Sequence, residues 1–334
     1  MNMVKILVNG YGTIGKRVAD AVSQQKDIEL VGIAKTKPDF EARLAIEKGY
    51  PIFCSADKNI ELFKKEGLGA RKLEDGLKEA DAVIDCTPEG IGAQNKILYQ
   101  KLKKKAIFEG GEEADIGVSF VAQCNYEKAI NASYIRVVSC NTTGLCRTLG
   151  ALQGFGIEKV SATLIRRAAD PNDIKTGPIN ALVPDVEIPS HHAEDIQTVL
   201  PINNIMTIAV KAPTTLMHVH SLTVELKEKQ DEDAIIDTFK NTTRIRLVKA
   251  KDGLKSTAHI MELAKGMGRK RGDMYEICIW EDSTKIKGNT LYYLQAVHQE
   301  SNVVPENIDA VRAMFNLASK EESIKKTNQS LGII

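Results

Sequence analysis

Six cysteines and six histidines carry the candidate covalent chemistry of this 334-residue chain. Of the cysteines at 54, 86, 124, 140, 146 and 278, one has the setting of a nucleophile. Cys140 ends the apolar run Arg136-Val137-Val138-Ser139 and precedes Asn141-Thr142-Thr143-Gly144. That pattern predicts a strand followed by a helix over about 144–155, with Asn141 or Thr142 as its cap. A thiol at such a helix start feels the positive end of the dipole, which favours thiolate. Cys146 falls further into the same helix and reads as structural. A nucleophilic thiol calls for a general base. His218 and His220 flank Val219 at a strand start and so share one face; spacing alone does not separate them. Arg166-Arg167 closes another strand and supplies cations for an anionic substrate. Neighbours on a strand point opposite ways, so one of the pair, Arg167 by preference, is expected to face the site. No Cys-x-x-Cys pair occurs, so no metal site is expected.

A second group of residues suits a dinucleotide. Asn9-Gly10-Tyr11-Gly12-Thr13-Ile14-Gly15 contains Gly-x-Gly-x-x-Gly between the first strand and its helix. Gly10 permits the tight turn, Gly12 the approach of a pyrophosphate, and Gly15 close helix–strand packing. The N–H groups of Thr13 and Ile14 open the helix and face the phosphates. About 20 residues past Gly15, where an acidic residue would hold a ribose 2′-hydroxyl, stand Lys35-Thr36-Lys37. Two cations and a hydroxyl suit a 2′-phosphate, so NADP is expected to be accepted and preferred over NAD. Cys86-Thr87-Pro88 lies where a strand's carboxyl edge passes the cofactor, with Cys86 as a small wall residue.

These sites need elements to carry them. Val4–Val8, Ile28–Ala34, Asp81–Cys86 and Lys105–Phe108 read as strands. Helices over Ile14–Gln24, Asp39–Lys48 and Asn95–Lys104 alternate with them. Such alternation implies a doubly wound parallel sheet. Beyond residue 140 the strands Val160–Ile165, Leu222–Leu226, Arg244–Val248, Tyr275–Trp280 and Thr290–Val297 suggest a mostly antiparallel sheet. They are accompanied by helices at Glu232–Lys240, Thr257–Lys265 and Asn307–Ala318. Segment 170–202 holds five of the ten prolines and reads as a long functional loop. The expected class is α/β: a Rossmann domain over 1–139, a catalytic α+β domain over 140–303, and a C-terminal helix in 304–334 packing back on the first.

Ser139-Cys140-Asn141-Thr142-Thr143 after a valine-rich strand resembles the active-site signature of glyceraldehyde-3-phosphate dehydrogenases. The turn 9–15 is similar to that family's cofactor turn. Longer stretches resemble its archaeal branch: 35–43, 86–92, Pro189-Ser190-His191-His192, Pro213-Thr214-Thr215-Leu216-Met217-His218 and 295–301. The resemblance spans nearly the whole chain. It implies reversible, phosphorylating oxidation of glyceraldehyde 3-phosphate to 1,3-bisphosphoglycerate through a thiohemiacetal and a thioester on Cys140, with His218 as base. It implies substrate contacts from Ser139, Asn141, Arg166, Arg167, His191 and His192, and cofactor contacts from Gly110, Gly111, Ala168 and Gln299. Asn141 and neighbouring N–H groups are further expected to stabilise an oxyanion. Inorganic phosphate is the second substrate. A homotetramer is implied, with loop 170–202 reaching a neighbouring subunit.

Composition restricts the alternatives. A net charge of +1 gives no basic footprint for nucleic acid. No apolar run approaches the ~18 residues of a membrane span, and the N-terminus lacks a signal-peptide layout. A cytoplasmic chain with free thiols is the expectation. Aspartate-semialdehyde or N-acyl-glutamyl-phosphate reductases would need a site for an amino-acid carboxylate. Erythrose-4-phosphate oxidation would need no inorganic phosphate. A non-catalytic NADPH sensor would leave His218 and the arginine pair idle.

Overall fold

The computed structural model describes residues 3–109, 111–170 and 177–333. The chain divides into two compact units: residues up to Ser139 together with Val304–Leu331, and Cys140–Val303 with the tail from Gly332.

The first unit is built on eight strands: β1 (Val4–Asn9), β2 (Ile28–Lys35), β3 (Ile52–Cys54), β4 (Arg71–Lys72), β5 (Ala82–Asp85), β6 (Lys105–Glu109), β7 (Val118–Phe120) and β8 (Tyr134–Val137). They pair in the order β4-β3-β2-β1-β5-β6-β8-β7, and every pairing is parallel. Helices α1 (Thr13–Val22), α2 (Phe40–Glu47), α3 (Ile60–Lys65), α4 (Leu73–Glu79), α5 (Ile91–Lys101) and α6 (Ala122–Asn125) connect them. All of β5 and all of β1 except Lys5 are buried, which is why these strands read as unbroken apolar runs rather than alternations. Strand order reverses between β1 and β5, the point where such a sheet opens a crevice at its carboxyl edge. Local chemistry sets the element ends. Asp39, for example, caps α2 by accepting from the N–H groups of Glu41 and Ala42.

The second unit holds α7 (Cys140–Leu152), β9 (Ile157–Arg167), β10 (Val183–Pro184), α8 (His192–Val199), β11 (Ile205–Ala212) and β12 (His218–Leu226). There follow α9 (Glu232–Asn241), β13 (Ile245–Val248), α10 (Thr257–Gly266), β14 (Ile277–Trp280), β15 (Lys285–Lys287) and β16 (Thr290–Val297). Its sheet runs β10-β11-β9-β12-β16-β14-β13, with β15 on β16. The central pairings are antiparallel as expected, but β11 on β9 and β13 on β14 are parallel, so the sheet is mixed. Burial alternates along β12, putting His218, His220, Leu222 and Val224 inside.

Three expectations need correction here. The helix after the nucleophile begins at Cys140 itself, so Asn141 and Thr142 lie inside its first turn and do not cap it. Segment 170–202 is not one loop: α8 occupies His192–Val199 and buries His192, Ala193, Ile196 and Val199. The C-terminal segment forms two helices, α11 (Val304–Met314) and α12 (Lys320–Leu331), instead of one over 307–318. Both belong to the first unit, where α11 packs on α1, α12, β6 and β8. There the buried Arg312 guanidinium bonds the Asp27 carboxylate at 2.8 Å, the Gln25 carbonyl and the Thr327 hydroxyl. Its hydrogen bond holds the Asp27 carboxyl below the usual carboxylate range.

Candidate active site

Cys140 is the first residue of α7, and the Asn302 side-chain amide donates to its carbonyl at 2.8 Å. Its Sγ lies 3.5 Å from Nε2 of His218, the first residue of β12. The other ring nitrogen of His218, Nδ1, accepts the backbone N–H of Arg167 at 2.9 Å. Burial, and then the charges of His220, Arg167 and Arg166, push the imidazole's pKa far down, so it is neutral at ordinary pH. Thiol and imidazole, 78 residues apart in sequence, are brought together by α7 and the start of β12.

The remaining histidines form a different system. Gln295 Nε2 donates to His220 Nδ1 at 3.0 Å, and His220 Nε2 donates to Asn141 Oδ1 at 2.9 Å. Asn141 Nδ2 donates to His192 Nε2 at 3.3 Å, leaving His192 Nδ1 to donate to Ser190 Oγ at 3.0 Å. Ser190 Oγ then meets Thr207 Oγ1 at 2.8 Å, and Thr207 Oγ1 donates to the Ser190 carbonyl. Each donor and acceptor in this chain is assigned once both histidines are neutral. Burial keeps them so, pushing His220 down to about 3 and His192 to about 2. Asn141 is only 2% exposed, and each end of its amide is used by a histidine. Its orientation is thereby fixed, with one of the two amide N–H groups committed to His192. His192 is wholly buried, whereas His191 is exposed and stacks on it with ring centroids 3.9 Å apart.

The two arginines also separate. Arg167 pairs through Nε with Asp170 at 3.0 Å, and it is the Arg167 backbone that touches His218. The charge of Arg166 bears on His192, His218 and His220 alike, that of Arg167 on His218. At His218 the charge of Arg167 bears more strongly than that of Arg166, while Arg166 alone of the two bears on His192 and His220. Ala168 donates its N–H to the Thr214 carbonyl, and buried Gln299 donates to that of Thr215.

In the first unit the glycine turn has the shape a pyrophosphate needs. Gly10 has φ +94°, and a Cβ there would stand 2.7 Å from the Cys86 carbonyl, which closes the switch point between β1 and β5. A Cβ on Gly15 would lie 1.8 Å from the Gly10 carbonyl, so the turn admits no side chain. Gly12 faces open space and stands at the N-cap of α1 with no side-chain cap, at a helix start suited to an anion. These residues fit a dinucleotide. Below them Asp85 accepts from the Tyr99 hydroxyl at 2.6 Å, Asn95 at 2.8 Å and the Thr87 backbone N–H at 3.0 Å. Burial pushes the Cys86 thiol far up, in keeping with a wall residue. Gly111 adopts φ +87° close to the Glu89 carboxylate, while Gly110 lies outside the described residues.

Lys35 departs from the sequence reading. It is 8% exposed, and its ammonium is held by Glu41 and Asp39 and by the Tyr11 carbonyl. Its charge is thus neutralised from within, while Thr36 and Lys37 remain exposed.

Comparison with known proteins decides among the aldehyde and acyl-phosphate chemistries open to a chain that carries both a Cys–His pair and a dinucleotide fold. The chain is 57% identical to the glyceraldehyde-3-phosphate dehydrogenases of Pyrococcus abyssi and Thermococcus kodakarensis, over 99% of this chain and 99% of each relative. The chain belongs to the glyceraldehyde-3-phosphate dehydrogenase family. The Methanothermus fervidus enzyme of that name is 53% identical over 99% of this chain and all of its own length, so the likeness extends across the archaeal branch. The family's C-terminal domain matches residues 139–283, which carry Cys140, His192 and His218. Residues 4–109 match the N-terminus of dihydrodipicolinate reductase, in keeping with a nicotinamide cofactor held by this oxidoreductase. Among the described residues no helix is long and apolar enough to cross a membrane, and no cluster of His, Cys, Asp and Glu forms a metal site.

Sequence reasoning missed Gln295, Ser190, Thr207 and Asn302 around the nucleophile, and Asp85 and Tyr99 under the turn. The one local signal was a polar residue at the inward phase of a strand, as at Gln295 and Thr207.

Proposed function

We propose that this dehydrogenase carries out the reversible, phosphorylating oxidation of D-glyceraldehyde 3-phosphate to 1,3-bisphosphoglycerate, in glycolysis and gluconeogenesis. The observation that carries this is the Cys140 Sγ–His218 Nε2 contact of 3.5 Å at the start of α7. The sulfur of Cys140 attacks the aldehyde carbon, and the helix N-terminus favours negative charge on that sulfur. When bound, the nicotinamide supplies the hydride acceptor that converts the thiohemiacetal into a thioester. An oxygen of inorganic phosphate then attacks the thioester carbonyl, the C–S bond breaks, and Cys140 is restored. Arg166, Arg167 and exposed His191 supply cations and donors for the phosphate groups, with Ser139 beside the nucleophile and His192 and Asn141 as support.

Gly10, Gly12, Thr13, Ile14 and Gly15 would hold the pyrophosphate, with Thr87 and Gly111 along the crevice. By family likeness, Gly110, Ala168 and Gln299 reach the nicotinamide. NADP is preferred over NAD on this reading. Since Lys35 is neutralised by Glu41 and Asp39, the preference rests on Thr36 and Lys37 at the exposed end of β2 and on the absence of an acidic residue at 35–37. The enzyme works in the cytoplasm as a homotetramer. Outward-facing Ile165, Met206, Ile208, Tyr292 and Leu294 form an apolar sheet surface of the kind that oligomers cover.

The test follows NADPH formation from glyceraldehyde 3-phosphate with and without inorganic phosphate, for wild type and Cys140→Ser. Phosphate-dependent reduction that Cys140→Ser abolishes is expected. Undiminished turnover without phosphate would refute the phosphorylating reading, and a lower KM for NAD than for NADP the cofactor preference. Sedimentation at a mass other than four chains would refute the tetramer.

A further inference from the structure

The carboxylate under the glycine turn is engaged more fully than the end of a strand requires. Asp85 closes β5 opposite Asn9, the last residue of β1, and so stands at the switch point between the two strands. It is 1% exposed, and its two oxygens have separate partners. Oδ2 ties it to α5 and β1, accepting from the Tyr99 hydroxyl at 2.6 Å, Asn95 Nδ2 at 2.8 Å and Asn9 Nδ2 at 3.4 Å. Asn9 Nδ2 also donates to the Tyr99 oxygen at 2.8 Å, which locks that side. Oδ1 serves Thr87 alone, accepting its backbone N–H at 3.0 Å and its hydroxyl proton. Thr87 is half-buried at the carboxyl edge of the sheet, where such a fold opens its crevice. A hydroxyl has one proton and two lone pairs. Asp85 takes the proton, Asn95 Nδ2 lies 3.4 Å from the oxygen, and a lone pair is left over among the described residues. An oxygen in that state only accepts. It suits the O–H of a sugar and opposes the oxygens of a pyrophosphate, which only accept as well.

We propose that Asp85 is a positioning residue for the cofactor: by holding the Thr87 proton it makes Thr87 Oγ1 an obligate acceptor for a ribose hydroxyl of the dinucleotide. This deepens the dinucleotide reading above and rests on it. Asp85 is buried and does not touch the ligand; it acts through Thr87. The crevice thereby divides its work. The glycine turn at the start of α1 takes the pyrophosphate with N–H donors, and the end of β5 takes a sugar hydroxyl with an acceptor. Because Asp85 also holds Asn9 just before the turn, one carboxylate sets the spacing between the two contacts.

Calorimetric binding of NADP to the purified full chain, without turnover, tests this. Thr87→Val removes the acceptor at nearly constant shape and should weaken binding about tenfold, whereas Thr87→Ser should bind like the wild type. Asp85→Ala should weaken binding by a similar factor on its own and by no further factor in the Thr87→Val background. A role confined to holding the fold would instead give losses that multiply, and that result would overturn the proposal. So would a Thr87→Val protein that binds NADP as the wild type does. Should Asp85→Ala fail to fold, NADP analogues that each lack one ribose hydroxyl carry the test on wild type and Thr87→Val. One analogue is expected to bind the wild type about tenfold more weakly than NADP does, yet to bind Thr87→Val no more weakly than NADP does. If every analogue loses as much on Thr87→Val as on the wild type, Thr87 meets no ribose hydroxyl and the proposal falls. A wild type that binds neither NADP nor NAD would sink the dinucleotide reading itself, an outcome distinct from all of these.

Discussion

Replacing Asn141 with alanine tests the buried polar chain at its centre. The substitution removes the acceptor of His220 Nε2–H and the donor to His192 Nε2 at once. Both rings are 0% exposed. Each orphaned group costs about 1–3 kcal/mol, so the variant should lose about 2–6 kcal/mol of stability. Urea unfolding at pH 7.5, read from the midpoint at constant slope, measures the loss. A loss under about 1 kcal/mol would mean that the two imidazoles do not depend on this amide. Aspartate at 141 sharpens the result. A carboxylate still accepts from His220, but it offers His192 no donor and instead attracts a proton onto that ring. The folded-state pKa of His192 then rises from about 2 towards or above its ordinary 6.5. Relative to Asn141→Ala, the aspartate variant should therefore gain stability below about pH 6.5 and lose that gain as pH rises. Parallel pH profiles for the two variants would refute the assigned direction of the chain.

In the wild type, His192 and His220 have folded values near 2 and 3 against an unfolded 6.5. The unfolded chain thus binds the extra protons in acid, and stability falls by about 1.4 kcal/mol per pH unit per histidine below pH 6.5. His220→Gln should flatten the urea-midpoint profile between pH 6 and 4 by one histidine's share, and an unchanged slope would contradict the burial argument. Burial pushes the thiols of Cys54, Cys86 and Cys278 up, so brief iodoacetamide treatment at pH 7 should label Cys140 well ahead of those three in peptide mass spectra. Glu109 is raised to about 8 by burial and the Glu306 charge, despite the amide of Asn307. Its unfolded carboxyl ionises near 4.5, so this residue costs stability increasingly as pH rises from 4.5 to 8. Glu109→Gln, which still accepts from Asn307, should stabilise by about 2–4 kcal/mol at pH 8 and by under about 1 kcal/mol at pH 5.

The parallel sheet was legible because β1, β2 and β5 are covered on both faces and therefore read as short apolar runs between turn residues. β16 was legible from its alternation, which matches Thr290–Val297 to the residue. α8 was obscured because its eight residues sit between Pro189 and Pro201, and its burial depends on contacts with α7 and β11 rather than on its own periodicity. The edge strands β4 and β10, and β3 beside β4, have two or three residues, too few to show a period. The nucleophile could be read locally, since helix and thiol are adjacent in sequence. The tautomers of the histidines could not, because their partners Arg167 and Gln295 are 51 and 75 residues away. Lys35 looked like a free cation because Glu41 reaches it only once α2 has folded back over the end of β2.

The return of α11 and α12 to the first unit has a consequence for synthesis. The sheet that begins at Val4 has all its strands by Val137, yet the helix that packs on β6, β8 and α1 starts only at Val304. At ribosomal rates of about 5–20 residues per second, roughly ten to thirty seconds separate the emergence of that sheet from the emergence of its cover. During that interval Arg312 is not yet available to Asp27. The second unit, by contrast, is nearly all in hand by Val303. Translation therefore delivers the two units out of order, with the one begun first being the one completed last. A nascent chain stalled before residue 304 should expose the uncovered flank of its first sheet to chaperones, and release of the last thirty residues should end that exposure.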